Sequence, residues 1–293
     1  MAGLVLAALA PNAAADANSL NDYLGPQVIS VGEVGRADAR ASASTTLNPA
    51  GLSLTRQVVY EASYGYRPGY TATSINLSAC DSTVPIPGCF YYRFFEANPE
   101  IGQTIFDRSA HEFGTTLSRA LSQSILLGVN LRWFDYDSEV GGEGDSSGFT
   151  FDAGAIIRPT QMVTVGVVGY NLLPQDATQY PTAMGAGITM RPANGLSIGA
   201  DGLWDLDDDG DYGTTGRYGV GGEYFLTSTD KQSGYPLRVG GIYDKPLESS
   251  YITGGLGFIN AKVGIDIGVR KQVDGGDELM IQAGLRLFGP TVR

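Results

Sequence analysis

The sequence predicts an all-β protein: a transmembrane antiparallel β-barrel of about fourteen strands, with an N-terminal hatch segment inside it. Three observations predict this fold. After Gln57, segments of about ten residues, in which apolar residues alternate with glycine or polar residues, follow one another to the end of the chain. Glycine accounts for 41 of the 293 residues and charged residues for only 17%, a composition that disfavours long helices. No run of about 18 apolar residues, which a membrane-spanning helix needs, occurs in the sequence.

Residues 1–15 are predicted to be a secretory signal peptide. The apolar run at residues 4–10 is too short to cross a bilayer, and Ala13 and Ala15 form a small-residue cleavage site. A basic stretch in front of the apolar run is missing. The alternative is an apolar N-terminal strand or helix.

Residues 16–56 lack the alternation, and we interpret them as a hatch segment inside the barrel. Small residues dominate positions 32–46. The turn motif that follows consists of Asn48, Pro49, Ala50 and Gly51. In it the asparagine can bond to neighbouring backbone, the proline fixes φ and the glycine permits a positive φ, so a tight turn is expected.

Residues 57–293 are predicted to form the barrel itself. Leu127, Val129 and Leu131, for example, alternate with glycine, asparagine and arginine. A water-soluble sandwich also alternates, but typically within only about 100 residues. Closing the sheet leaves no unpaired edge and lets its apolar face meet lipid. The predicted strands are 57–67, 69–78, 89–96, 110–119, 124–137, 148–158, 162–172, 181–191, 195–206, 216–227, 235–245, 250–259, 261–272 and 279–288.

The connections between these strands fall into two sets that alternate along the chain. One set is short, and the other is longer and acidic. This asymmetry is typical of periplasmic turns and surface loops, so we predict a location in the bacterial outer membrane, in contact with its lipid and lipopolysaccharide. Examples of the two sets are 119–123, 158–161 and 191–194 against 139–147, 173–180 and 205–212.

The face opposite the apolar one carries glycines and charges of both signs. A barrel of this size is too wide for its own side chains to fill, and the glycines leave room for a plug. Buried charges of mixed sign are usually paired, which disfavours an ion-selective pore of one sign. The predicted polar network of the lumen consists of Arg132, Asp152, Asp201, Glu223, Arg238, Asp266, Arg270 and Arg286.

Cys80 and Cys89 are nine positions apart, and in an exported chain they suggest one disulfide; the alternative is two unpaired small residues.

The net charge of −12 excludes an electrostatic nucleic-acid site. We predict no cofactor, no metal site and no enzymatic activity, since nothing in the spacing around the only histidine, His111, marks a catalytic group. Residues 205–211 match the first half of a calcium loop, but Gly216 stands where a glutamate is needed, so a solvated charge run is expected. The alternative is a divalent ion that bridges this acidic hairpin and lipopolysaccharide phosphates.

At the Asn48-Pro49-Ala50 turn the chain resembles the FadL family of outer-membrane transporters for hydrophobic compounds and their PorV-like relatives. In both groups a small-residue segment leads into this tripeptide just before the first strand. The resemblance implies a fourteen-stranded barrel closed by an N-terminal hatch. In the FadL branch it further implies that a hydrophobic ligand enters from outside and leaves sideways through the wall.

We therefore predict an outer-membrane channel for passive uptake or export of small hydrophobic molecules such as long-chain fatty acids. The first alternative is a PorV-like scaffold that holds a secreted or surface-anchored protein. The second is a porin for polar solutes. The sequence identifies neither the ligand nor the direction of transport.

Overall fold

The computed structural model describes residues 24–101, 104–140, 144–174, 179–206, 216–229 and 233–291. The predicted signal peptide lies outside the described residues and stays a prediction. Within the described ranges, no helix has both the length and the apolar character needed to cross a membrane.

Fourteen strands form one closed antiparallel sheet, in which each strand pairs with its neighbours in sequence and β1 pairs with β14. The predicted fold class and strand number are confirmed. The strands are β1 (Gln57–Arg67), β2 (Ala72–Asp81), β3 (Gly88–Ala97), β4 (Arg108–Ala120), β5 (Ile125–Ser138), β6 (Ser146–Ile157), β7 (Val163–Tyr170), β8 (Ala183–Ala193), β9 (Leu196–Asp205), β10 (Gly216–Thr227), β11 (Ser233–Asp244), β12 (Ser249–Asn260), β13 (Val263–Asp274) and β14 (Leu279–Thr291).

The alternation of the sequence becomes an apolar outer face and a polar inner face. On β5, Leu127 and Val129 are exposed, whereas Asn130 and Arg132, which point to the opposite face, are buried. Successive side chains of a strand point to opposite faces, so the same division repeats around the barrel. Exposed large apolar residues in this arrangement form a surface suited to lipid rather than water.

Before the barrel, the chain forms one short helix, α1 (Pro26–Ile29), and two 3-10 helices, Ala41–Thr45 and Pro49–Leu54. The two ends of the barrel differ. We call the end with the connections 82–87, 121–124, 158–162, 194–195, 228–232 and 261–262 the turn end. The opposite end, with the connections 68–71, 98–107, 139–145, 171–182, 206–215, 245–248 and 275–278, is the loop end.

The second strand differs most from its predicted position. It starts at Ala72 instead of residue 69 because Pro68–Tyr70 form a 3-10 helix and Thr71 adopts a left-handed conformation with φ 46°. Proline has no N–H for a strand ladder, which favours the turn. At the other end of the sequence, β14 extends past the predicted residue 288 to Thr291, whose partner is Gln57.

The weakest pairing of the wall lies between β6 and β7, and we call it the β6–β7 seam. Within the described residues only five residue pairs join these strands, ending at Ala153 and Gly169, whereas β7 and β8 are paired over the whole of 163–170. Beyond the seam, Asn171 has φ 50° and Leu172 N donates a hydrogen bond to Phe151 O over 2.8 Å. The chain therefore leaves the sheet as a bulge at the loop end.

Candidate functional site

The N-terminal segment, defined as residues 24–56, lies inside the barrel. Tyr170 on β7 donates a hydrogen bond to Leu47 O over 2.6 Å, and on the opposite side of the wall Glu61 on β1 accepts one from Ser42 Oγ over 2.5 Å. Contacts of the segment reach all fourteen strands. A chain that touches every strand of a closed barrel on its inner face occupies the bore.

Asn48 fixes the turn of the segment against the wall. Its Oδ1 accepts a hydrogen bond from Ala50 N (3.1 Å), which caps the following 3-10 helix. Its Nδ2 donates to Arg36 O (2.8 Å), to Ala155 O on β6 (3.2 Å) and to Val167 O on β7 (3.3 Å). One buried amide thus holds two parts of the segment and two strands together.

Gly51 has a different role from the one expected. It lies within the 3-10 helix and not at a position of positive φ. Its importance comes from packing, because a Cβ there would lie 2.0 Å from Ala39 O. Only a glycine permits this approach of two stretches of the segment.

Inward-facing glycines of the wall make room for backbone and side-chain atoms of the segment. A Cβ on Gly154 would lie 2.1 Å from Asn48 Oδ1, and one on Gly128 would lie 2.3 Å from the carbonyl carbon of Pro49. Side chains at these positions would exclude the segment from its place. Similar close approaches occur at Gly199, Gly219, Gly221, Gly240, Gly268 and Gly284.

Arg132 and Asp152 form a buried ion pair over 2.6 Å. The same guanidinium donates to Asn171 Oδ1 over 2.6 Å, and Asn130 Nδ2 donates to the second oxygen of Asp152 over 2.9 Å. Asn130 also donates to Thr45 O of the segment over 3.3 Å. This cluster therefore ties together the segment, β5, β6 and the start of the loop after β7.

Asp201 on β9 is paired with the segment rather than with another strand. Its Oδ2 accepts hydrogen bonds from Gly35 N (2.9 Å) and Arg36 N (2.7 Å), and the Arg36 guanidinium lies 3.3 Å away. Arg36 Nε in turn donates to Tyr170 OH over 3.0 Å. The carboxylate thus anchors the middle of the segment to the β7–β9 side of the barrel.

Arg238 on β11 joins two carboxylates, with 2.7 Å to Glu223 on the adjacent β10 and 2.7 Å to Asp266 on β13, two strands away. Asp266 also pairs with Arg286 over 2.6 Å and accepts a hydrogen bond from Gln27 Nε2 of the segment over 3.0 Å. The four charges alternate in sign across β10, β11, β13 and β14, so they compensate one another locally.

Arg270 pairs with Glu278 over 2.6 Å and with Glu33 of the segment over 2.7 Å. Glu33 pairs in addition with Arg217 on β10 over 2.7 Å, and Arg217 pairs with Asp244. Burial alone would raise the pKa of Glu33, but the guanidinium groups of Arg217 and Arg270 outweigh it and lower the pKa to about 2. Glu33 is therefore a carboxylate at neutral pH.

The structure thus places all eight residues of the predicted polar network inside the barrel, distributed over several ion-paired clusters. Sequence reasoning missed their partners Glu33, Arg36 and Arg217. The inward orientation of Arg217 was predictable from the sequence, because it lies two and four positions before the inward-facing Gly219 and Gly221 on the same strand. The two segment residues carry no such signal, since the segment has no period.

A cavity of about 910 Å³ lies between the segment and the wall near the turn end. Val28, Val34 and Leu47 of the segment and Phe225 of the wall provide apolar lining, and Arg238 is among the charged residues at its edge. Apolar walls with a few polar groups are typical of sites for small organic ligands. The paired charges and the apolar recess suit non-covalent binding.

The two cysteines form a disulfide in the structure, at directly opposed positions of β2 and β3. Both side chains are buried and cluster with Leu52 of the segment.

His111 faces outward and its Nδ1 lies 2.9 Å from Tyr92 OH. Among the described residues no group of three His, Cys, Asp or Glu side chains could hold a metal ion. Most of the predicted acidic run at 205–211 lies outside the described residues.

Solved structures with the same fold include channels and transporters for hydrocarbons. The CymD monoaromatic hydrocarbon channel is 11% identical, with 92% of this chain and 98% of that chain covered and a TM-score of 0.68. The Ralstonia pickettii toluene transporter TbuX is 12% identical, with 92% and 99% covered and a TM-score of 0.65. A Pseudomonas aeruginosa FadL homologue is 12% identical, with 90% and 96% covered and a TM-score of 0.56.

The resemblance to the FadL family is thereby confirmed at the level of the fold. No protein-family model matches the sequence, and a search of curated proteins gives no significant match.

Proposed function

We propose that the protein is a passive channel for small hydrophobic molecules, such as monoaromatic hydrocarbons or long-chain fatty acids, in the bacterial outer membrane. The observation that carries this proposal is a barrel of the hydrocarbon-channel fold whose bore is occupied by its own N-terminal segment. A filled bore is poorly suited to free diffusion of polar solutes. Among the described residues, an apolar recess beside the segment gives a hydrophobic molecule a place to bind.

The exposed apolar side chains of the strands support the membrane location. They would contact the acyl chains of outer-membrane lipid, and the loop end would meet lipopolysaccharide. The turn end would then face the periplasm, as short turns do in outer-membrane barrels. Residues 1–15 would serve as the signal peptide and be absent from the mature chain.

We assign the role of hatch to residues 16–56. Binding would draw on the burial of apolar ligand surface, about 25 cal/mol per Å². The hatch would then shift, and the ligand would leave sideways into the membrane. The β6–β7 seam is the place in the wall that supports such an exit, because among the described residues the fewest residue pairs join neighbouring strands there.

Uptake of labelled toluene and labelled oleate by cells that lack their own channels tests the function. We expect uptake when the intact protein is expressed. Ser197 lines the cavity from β9, and Ser197→Trp should reduce uptake to the level of cells without the protein. Ala200→Trp, on the outward face of the same strand, is the matched control and should leave uptake unchanged.

Other outcomes would point to the alternatives. A surface protein that co-purifies with the barrel, together with absent uptake, would favour the scaffold. Steady ion conductance of the intact chain in planar bilayers would favour a porin for polar solutes.

A further inference from the structure

One side of the lumen, formed by β14, β1 and β2, carries a group of small uncharged polar side chains beside the ion-paired Arg67 and Arg286. We call it the polar stripe, and it comprises Ser63, Ser74, Asn76, Ser78 and Gln282. The strand register stacks these residues in rows from the loop end towards the turn end. Gln282 and Ser74 flank Gly65, Asn76 lies opposite Ser63, and Ser78 lies opposite Glu61.

The polar stripe contains buried hydrogen-bonding atoms without a partner. Ser74 Oγ, Asn76 Oδ1, Ser78 Oγ and both terminal atoms of Gln282 are shielded from solvent and have no hydrogen-bond partner among the described residues. Ser74 and Gln282 are only 2% and 1% exposed. Buried polar groups are nearly always satisfied by protein or by ordered water, so a cluster of five such atoms on adjacent strands indicates a bound polar species.

The space beside Asn76 and Ser78 has the size of a water molecule. A cavity of about 20 Å³ lies between the segment and the wall, lined by Ser63, Asn76, Ser78 and Tyr91. A water molecule needs roughly 10–15 Å³ of such volume, so the space admits water and excludes an organic ligand. The same cavity shares Gln27, Val28, Ala43 and Glu61 as lining residues with the 910 Å³ cavity at the turn end.

The part of the polar stripe nearest the loop end also indicates bound water. A Cβ on Gly65 would lie 2.4 Å from Ser74 Oγ and 3.0 Å from Gln282 Nε2. Two polar side chains therefore converge over this glycine from both neighbouring strands. A small molecule that both donates and accepts hydrogen bonds can bridge them, and water has this property.

From these observations we propose that the polar stripe binds a file of ordered water molecules that continues into the turn-end cavity, so that the lumen has a wet side along β14, β1 and β2. A hydrocarbon on this side would leave the five polar atoms without partners. The passage of an apolar ligand is consequently confined to the opposite side of the segment, where the β6–β7 seam lies.

Radiolytic hydroxyl-radical footprinting of the full-length protein in detergent tests the proposal, because radicals formed from bound water modify side chains next to it even when these are buried. Tyr91 lines the small cavity and is 5% exposed; Tyr136 on β5 lies away from the polar stripe and is 4% exposed. We expect Tyr91 to be modified several-fold faster than Tyr136. Equal, slow modification of both would overturn the proposal.

Two variants sharpen the comparison. Asn76→Leu and, separately, Ser78→Val remove polar atoms of the stripe and add apolar volume to the small cavity. Each should lower the rate at Tyr91 to that at Tyr136, and an unchanged Tyr91 rate in both variants would contradict a water file. The footprint needs neither ligand nor transport, so its outcome is independent of the proposed channel function.

Discussion

The amide of Asn48 explains why the turn before the second 3-10 helix stays in place. Its hydrogen bonds go to backbone atoms of the segment and of two strands. Backbone acceptors do not change with the side chains that surround them. The position of the turn therefore depends on one side chain and on the shape of the wall next to it.

Gly154→Ala tests how closely that wall fits. The new Cβ would lie 2.1 Å from Asn48 Oδ1 and 3.0 Å from Pro49 Cδ, so the turn must move. Overpacking of this kind costs about 1–3 kcal/mol, which a urea titration of the protein in lipid vesicles would measure. Gly254→Ala is the control, since its Cβ would have no neighbour nearer than 3.7 Å. Equal stability of the two variants would contradict the close fit.

Glu33→Gln tests the ion pairs that join the segment to β10 and β13. Removing one partner of a buried pair costs about 3–5 kcal/mol, so at neutral pH the variant should unfold at lower denaturant concentration than the wild type. Glu96→Gln, at an exposed position, should behave like the wild type.

The loss in Glu33→Gln should depend on pH in a defined direction. The pKa of Glu33 is about 2 in the folded protein against an ordinary value of 4.5. A carboxylate with a lowered pKa contributes its full stability above the ordinary pKa and loses it as the pH falls towards the folded one. The difference in unfolding free energy between wild type and variant should therefore stay constant from neutral pH to about pH 5 and shrink below about pH 4.5. A difference that grew on acidification would contradict the assignment.

The sequence predicts which charged residues face the lumen, but it does not predict which residues they pair with. Parity along a strand predicts that Asp201 and Arg270 point inward, because strand geometry is regular. It does not predict that Asp201 meets Arg36 or that Arg270 meets Glu33, since those distances depend on how an irregular segment folds within the bore.

For the strands, alternation located all fourteen within three residues of their observed bounds. The shift of β2 arose where a left-handed threonine followed a proline-initiated turn, which alternation does not report. The β6–β7 seam was also not predictable. Its short ladder results from a bulge at Asn171, a residue that tolerates positive φ but does not require it.

A disulfide across the β6–β7 seam tests whether the wall opens there. Phe151→Cys with Leu172→Cys would link the residues that are already joined by a backbone hydrogen bond of 2.8 Å. If ligand leaves through the seam, the oxidised double variant should lose toluene uptake. The matched link, Val167→Cys with Ala186→Cys, joins paired residues of β7 and β8 and should not affect uptake. Full uptake with the linked seam would place the exit elsewhere.

At the scale of the whole molecule, closure of the sheet predicts resistance to detergent. A closed barrel has no free edge from which SDS can separate the strands. The unheated protein should therefore migrate faster on an SDS gel than the boiled protein. Identical migration, together with a dispersed water-soluble particle in the absence of detergent, would contradict a membrane barrel.

The glycines that face the N-terminal segment have a consequence for how the molecule tolerates mutation. At these places the two parts meet backbone to backbone, as between Gly219 and Gly32 O or between Gly166 and Arg36 O. Replacement of such a glycine in the surrounding sheet would push the two parts apart, and so would replacement of Gly32 in the segment, where an added Cβ would lie 2.6 Å from Val220 O. A saturation mutagenesis screen should therefore find highly intolerant positions at the glycines on both sides of this contact.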